Sequence, residues 1–88
     1  PPGEDHILYS EGILRNVYYA ENSIRYFATS PGTEYLRLSF RPSEITLNGT
    51  NLPLVREPKP GSCLLRKLRQ GDYALTIMHT KRGNVIVK

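Results

Sequence analysis

Apolar and polar residues alternate with a period of two along most of this chain, the pattern of strands with one buried face. The segment EYLRLSFR at residues 34–41 shows it most clearly, because Leu36, Leu38 and Phe40 fall on the same side of an extended strand. Turn-forming residues interrupt the alternation at intervals of roughly eight to twelve residues, as in sandwiches and barrels. The turns are Glu21-Asn22, Ser30-Pro31-Gly32, Asn48-Gly49, Pro58 to Gly61, Gly71-Asp72 and Lys81-Arg82-Gly83. We therefore expect an all-β fold of roughly six or more antiparallel strands.

The length of 88 residues corresponds to one small domain. Such a domain buries only roughly 60–65% of the surface that its unfolded chain exposes, which leaves little room for a deep, water-excluded cleft. The first five residues, PPGED, have the composition of an interdomain linker. We expect residues 1–5 to be a linker remnant and residues 6–88 to form a single β-sandwich binding module of a longer protein.

Two of the turns are short enough to predict hairpin register. Asn48-Gly49 is a strong type I′ signal, because that turn needs positive φ at both positions. It predicts that Leu47 pairs with Thr50 and that Ile45, Leu47 and Leu52 share a buried face. A two-residue turn at Glu21-Asn22 predicts that Ala20 pairs with Ser23, and hence Tyr18 with Arg25.

Two further turns are interpreted as three-residue hairpin loops with glycine in the last place. The loop at residues 30–32 then pairs Phe27 with Tyr35 and Arg25 with Arg37. The loop at residues 81–83 pairs the strand before it with the strand after it in the same way. In that register His79 lies opposite Val85, and Ile77 lies opposite Val87.

These registers divide the first strands into two faces. One face is a predicted core; it comprises Val17, Tyr19, Ile24, Tyr26, Ala28, Leu36, Leu38 and Phe40. Leu75 and Ile77 are predicted to join this core. The other face mixes aromatic and polar side chains on a surface that should be solvated, and it is the predicted binding site. It comprises Asn16, Tyr18, Arg25, Phe27, Tyr35 and Arg37.

No convergent set of catalytic groups is evident in the sequence. Acid–base or nucleophilic catalysis needs at least two suitable side chains in one place. His6 and His79 lie near opposite ends of the chain, and the eight acidic residues are scattered singly apart from the adjacent Glu4 and Asp5. His79 is expected to have a structural role at a strand end, and Cys63 is expected to be a buried apolar residue. We therefore expect a domain without enzymatic activity.

Metal and cofactor motifs are also missing from the sequence. It has no closely spaced acidic residues of a calcium loop, no glycine-rich phosphate loop, and a single cysteine. We therefore expect no cofactor. A structural calcium ion is still compatible with the sequence, because backbone carbonyls can supply its ligands. The metal content is therefore unknown from the sequence alone.

The chain is basic, with a formal net charge of +4 and a pI near 9.5. This charge keeps nucleic acid or another acidic polymer as an alternative ligand. The basic residues are dispersed, however, and the densest group is only Arg66-Lys67 with Arg69. Nucleic acid is therefore disfavoured. The apolar runs are too short to cross a bilayer, so no membrane partner is expected.

The predicted aromatic face suits a sugar ligand. A tyrosine ring can cover the flat C–H face of a sugar ring while its hydroxyl forms a hydrogen bond. Arginine and asparagine beside it offer further partners for sugar hydroxyls. The alternative is that these tyrosines only cover their cross-strand neighbours. Tyr9 and the loop at residues 56–61 are the next candidates for a binding site.

Two segments, residues 36–49 (LRLSFRPSEITLNG) and 72–77 (DYALTI), resemble the small accessory domains of bacterial enzymes that degrade plant polysaccharides. The pattern over residues 13–88 is similar to the carbohydrate-binding-module family numbered eighty-one. This resemblance implies a jelly-roll-like β-sandwich that binds β-1,4- and mixed-linkage β-glucans, including xyloglucan. It also implies a secreted bacterial protein in which a glycoside hydrolase domain is covalently linked to the module. Many glucan binders use tryptophan, which this chain lacks, so tyrosine would have to replace it.

The sequence thus predicts a non-catalytic module that binds polysaccharide outside the cell. The alternatives are a structural accessory domain of the same enzyme class without a ligand, and a weak binder of acidic polymers.

Overall fold

The computed structural model describes residues 5–88, which fold into two antiparallel β-sheets without a helix. The prediction of an all-β sandwich is therefore confirmed. The strands are β1 (His6–Ser10), β2 (Leu14–Ala20), β3 (Ser23–Ala28), β4 (Gly32–Leu38), β5 (Ile45–Leu47), β6 (Thr50–Asn51), β7 (Ser62–Lys67), β8 (Tyr73–His79) and β9 (Gly83–Val87).

One sheet has four strands in the order β1-β4-β8-β7, and the other has five in the order β2-β3-β9-β5-β6. The chain repeatedly passes between them. The connections that cross from one sheet to the other are β1 to β2, β3 to β4, β4 to β5, β6 to β7 and β8 to β9. Sequence neighbours are therefore often on opposite sides of the molecule, which decides where the candidate site residues lie.

The two short hairpins form as predicted. Leu47 pairs with Thr50 around Asn48 and Gly49, which have φ angles of 51° and 80°. Ala20 pairs with Ser23, and the same hairpin pairs Tyr18 with Arg25. A two-residue loop is too short to carry the chain to another sheet, so its register follows from local sequence.

The prediction of two three-residue hairpins is wrong, because neither hairpin forms. The loop at residues 30–32 connects β3 in one sheet to β4 in the other, so Phe27 does not pair with Tyr35, nor Arg25 with Arg37. The loop at residues 81–83 likewise crosses from β8 to β9. A crossing loop turns the buried faces of its two flanking strands toward each other, and glycine suits that path as well as a hairpin.

The core lies between the sheets and contains most of the predicted residues. It comprises Ile24, Tyr26, Ala28, Leu36, Leu38, Ile45, Leu47, Leu52, Cys63, Leu75, Ile77, Val85 and Val87. Tyr19 and Phe40 are only half-buried and pack against it. Val17 was predicted to be in the core but is 38% exposed. A β-bulge between Arg15 and Tyr18 breaks the alternation there.

The predicted linker falls mostly outside the described residues, because residues 1–4 are not among them. Asp5 is described, and it is part of the packed domain. Its carboxylate is buried and accepts hydrogen bonds from the backbone N–H and the hydroxyl of Ser39, at 2.6 and 2.9 Å.

Candidate functional site

The outer face of the five-stranded sheet carries the main candidate site. Strand register places side chains in two rows that run across neighbouring strands. The first row is Tyr18, Arg25, Ile86, Thr46 and Asn51, and the second is Arg15, Phe27 and Asn84. With strands ~4.8 Å apart, the first row extends over roughly 19 Å.

The bulge in β2 adds a further polar side chain, that of Asn16, to this face. Asn16 adopts a left-handed conformation with φ of 54°, a region that asparagine tolerates better than most residues. Its side chain borders a shallow groove of about 450 Å³. The groove is lined by Asn16, Tyr18, Arg25, Tyr26, Phe27, Asn84, Val85 and Ile86.

Guanidinium groups contact the Tyr18 and Phe27 rings of the groove. The Arg25 guanidinium carbon lies 4.9 Å from the centre of the Tyr18 ring, and that of Arg82 lies 5.6 Å from the centre of the Phe27 ring. Tyr18 remains 55% exposed, so part of its ring is still open to a ligand. These cation–π contacts restrict the rings and keep the cations beside them.

Asn48 holds one end of the groove in place. Its side-chain amide donates to the carbonyl of Arg82 at 3.1 Å, and its side-chain oxygen accepts from the backbone N–H of Asn84 at 2.9 Å. The hairpin turn of β5 and β6 thereby positions the start of β9. Gly83 lies between the two contacts, and a Cβ atom there would collide with the Asn48 side chain.

Charge is distributed unevenly over this face. Neither row contains an aspartate or a glutamate, whereas two arginines and two asparagines occupy them. No carboxylate of residues 5–88 forms an ion pair with Arg15, Arg25 or Arg82. The face therefore offers aromatic surface, amide groups and unneutralised guanidinium groups.

Tyr35 and Arg37 were predicted to belong to the same site, but they lie on the outer face of the four-stranded sheet. The error follows from the incorrect hairpin at residues 30–32. Tyr35 packs there against Tyr9, with 5.9 Å between the ring centres. Arg37 donates two hydrogen bonds to one oxygen of Asp72, at 2.8 and 3.1 Å.

The four-stranded sheet thus has a second aromatic surface, which includes one of the alternative sites expected from sequence. Tyr9 and Tyr35 are both exposed, and Tyr9 lies directly opposite Tyr35 in the register of β1 and β4. A broader groove of about 660 Å³ runs beside Tyr35 toward Arg56 and Leu64. Its lining is more apolar than that of the groove on the other sheet.

A cluster of titratable groups is buried between the sheets. Glu34 accepts a hydrogen bond from the Tyr26 hydroxyl at 2.7 Å and lies 2.6 Å from Nε2 of His79. The other ring nitrogen of His79 lies 2.8 Å from the carbonyl of Lys81. The Lys81 carbonyl can only accept, so Nδ1 donates to it, and one proton lies between Nε2 and the Glu34 carboxyl group.

The sequence reasoning missed this pairing, although a signal was present. Alternate residues of a strand face the same side, so Glu34 lies on the same face as the core residues Leu36 and Leu38. A charged residue at a core-facing position was therefore visible in the sequence. The side chains of His79 and Glu34 are 0% and 2% exposed, so they offer no surface to a substrate. The expected structural role of His79 fits this geometry.

The Glu34 carboxylate raises the pKa values of two neighbouring side chains. Its hydrogen bond raises the pKa of His79, against the lowering effect of burial. Burial, reinforced by the charge of Glu34, raises the pKa of the Cys63 thiol to about 12. Cys63 is fully buried, as the sequence predicted, and is protonated at neutral pH.

Within residues 5–88, no group of three or more His, Cys, Asp or Glu side chains is arranged to hold a metal ion. The same part of the chain contains no helix that could span a membrane.

Of the six predicted site residues, the structure brings together Asn16, Tyr18, Arg25 and Phe27, and separates Tyr35 and Arg37. Asn84 was missed, although the alternation of β9 signals its outward orientation between the buried Gly83 and Val85. Comparison with protein-family models, with curated proteins and with solved structures gave no match, so the candidate site rests on the geometry of this chain alone.

Proposed function

We propose that this protein is a non-catalytic carbohydrate-binding module that binds a polysaccharide chain on the outer face of its five-stranded sheet. The observation that carries the proposal is the grouping of Tyr18 and Phe27 with asparagine and arginine side chains in one open groove. The sequence resemblance adds β-1,4- and mixed-linkage glucans and xyloglucan as the first ligands to test. It also supports a secreted protein with a linked glycoside hydrolase domain.

The groups in the groove match the two surfaces of a sugar ring. Aromatic rings cover its C–H face, and two half-covered rings contribute roughly 4 kcal/mol before the costs of association. Asn16 and Asn84 each offer an amide donor and an acceptor to the hydroxyls at the ring edge. With a few hydrogen bonds of ~1 kcal/mol each, we expect a Kd of about 10 μM to 1 mM.

The shape of the site favours a polymer over a single sugar. The groove is open at the surface, and the first row of side chains continues from Tyr18 across five strands to Asn51. An extended chain could therefore contact several side chains of this row in succession. A free monosaccharide would contact only part of this surface.

Affinity electrophoresis tests the proposal. The protein would run toward the cathode, because its net charge is +4, in native gels that contain a β-glucan, xyloglucan or an acidic polysaccharide. We expect retardation by at least one polysaccharide and none by an unrelated soluble polymer such as polyvinyl alcohol. Unchanged migration with every polysaccharide would contradict the proposal and favour a structural accessory domain.

A further inference from the structure

Three arginines lie around the aromatic groove, and none of them forms an ion pair with a carboxylate of residues 5–88. Arg15 lies opposite Phe27, and Arg25 lies opposite Tyr18 in the adjacent row. Arg82 approaches the same Phe27 ring from the loop before β9.

Of the nine other lysines and arginines, two pair with a carboxylate of residues 5–88. Arg37 pairs with Asp72, and Lys88 lies 3.4 Å from the Glu44 carboxylate. Around the groove the reason is local, because neither row of this face contains an acidic side chain that could neutralise the guanidinium groups. Like charges gathered around one groove repel each other, and an anion bound among them would relieve the repulsion.

We infer that the polysaccharide bound by this groove carries carboxylate groups, as in a chain that contains uronic acids, and that it binds more tightly than a neutral chain with the same backbone. This inference rests on the proposed function and assigns the ligand class. A guanidinium group matches a carboxylate with two parallel hydrogen bonds, which a neutral hydroxyl cannot reproduce.

The composition of the groove distinguishes such a glycan from nucleic acid. Nucleic acid presents a continuous track of phosphates, and its binders line that track with many cations. Here one arginine, Arg25, lines the groove beside the amide groups of Asn16 and Asn84, and two more lie next to Phe27, Arg82 against its ring and Arg15 opposite it in the register. Amide groups and a few cations suit a chain that is rich in hydroxyls and carries occasional carboxylates.

Two cellulose derivatives with the same β-1,4-glucan backbone test the inference: carboxymethyl cellulose, which is anionic, and hydroxyethyl cellulose, which is neutral. Isothermal titration at about 20 mM salt should give at least tenfold tighter binding to the anionic chain. This preference should shrink as salt rises to about 300 mM, because salt screens ionic contacts. Polygalacturonate should bind like the anionic derivative.

Variants that each remove one positive charge distinguish binding by the groove arginines from non-specific attraction to the net charge of the protein. Arg15→Gln and Arg82→Gln should each reduce the preference for the anionic chain several-fold. Arg66→Gln removes the same charge from the four-stranded sheet and should leave the preference unchanged. Equal losses in all three variants would overturn the inference, because only non-specific attraction would then remain.

The remaining outcomes are distinct. Equal affinity for the two cellulose derivatives overturns the inference and leaves the proposed function standing. Binding to none of these polysaccharides overturns both. Tighter binding of single-stranded oligo(dT) than of polygalacturonate, at equal numbers of charges, overturns both in favour of a nucleic-acid ligand.

Discussion

His79 Nε2 lies 2.6 Å from Glu34 Oε2 in the middle of the sandwich, although the two residues are 45 positions apart in sequence. Both side chains are buried, and the Tyr26 hydroxyl donates to the other oxygen of the same carboxylate. The four-stranded sheet supplies Glu34 and His79, and the five-stranded sheet supplies Tyr26. The cluster therefore links the two sheets through hydrogen bonds in a mainly apolar core.

The raised pKa of His79 predicts a specific pH dependence of stability. The folded state binds the proton more tightly than the unfolded state, whose histidine pKa is ~6.5. The stabilisation is thus complete below about pH 6.5 and is lost as the pH rises through the folded pKa. Urea denaturation between about pH 6 and 9 should show a decreasing free energy of unfolding.

His79→Gln keeps a hydrogen-bond donor but cannot titrate, so its free energy of unfolding should vary less over this range. His6→Gln is the matched control and should retain the wild-type dependence. A wild-type free energy of unfolding that rises over this range, or a His79→Gln profile with the wild-type slope, would contradict the assignment.

Removing the Tyr26 hydroxyl should destabilise the domain measurably. Tyr26→Phe leaves one oxygen of buried Glu34 without its hydrogen bond, which costs about 1–3 kcal/mol. Tyr18→Phe removes the same atom from an exposed ring and should change stability by less than about 0.5 kcal/mol. Thermal and urea unfolding of both variants provide the comparison, and equal stabilities would show that the cluster does not support the fold.

Gly83 should be intolerant of any side chain. Its φ is 153°, and a Cβ atom would collide with the Asn48 side chain that anchors the loop of Arg82. We expect Gly83→Ala to lower the free energy of unfolding by about 1–3 kcal/mol. Gly61→Ala is the matched control, because Gly61 also has positive φ but has open space around its Cβ position.

The two glycine variants isolate the steric contribution. Gly83→Ala should cost more than Gly61→Ala, and the Asn48→Ala background should reduce the difference, since the colliding side chain is then absent. A Gly83→Ala protein as stable as Gly61→Ala would show that Asn48 does not pack as described.

Much of the fold was predictable because its signals are local. Alternation identified the buried faces around Leu36 and Ile77, and the Asn48-Gly49 turn specified its own hairpin. The assignment of each strand to one of the two sheets was not predictable in the same way. A three-residue loop ending in glycine serves a hairpin and a crossing equally well, and long-range packing decides between them.

The candidate site was only partly predictable for the same reason. Tyr18 and Arg25 share a hairpin, so their proximity followed from one turn. Tyr35 was placed beside these residues because the loop at residues 30–32 was predicted to form a hairpin. The loop crosses to the other sheet instead, so Tyr35 lies on the opposite side of the molecule. Asn84 reaches the site through the pairing of β3 with β9, which joins residues far apart in sequence.

Binding measured on variants of the two opposite aromatic surfaces tests the central claim most directly. Isothermal titration would compare Tyr18→Ala and Phe27→Ala with Tyr9→Ala and Tyr35→Ala, using a polysaccharide that retards the wild-type protein. We predict that Tyr18→Ala and Phe27→Ala each weaken binding about tenfold, or ~1.4 kcal/mol, and that Tyr9→Ala and Tyr35→Ala bind like the wild type. Loss of binding in Tyr9→Ala and Tyr35→Ala, with wild-type affinity in Tyr18→Ala and Phe27→Ala, would contradict the account and place the site on the four-stranded sheet.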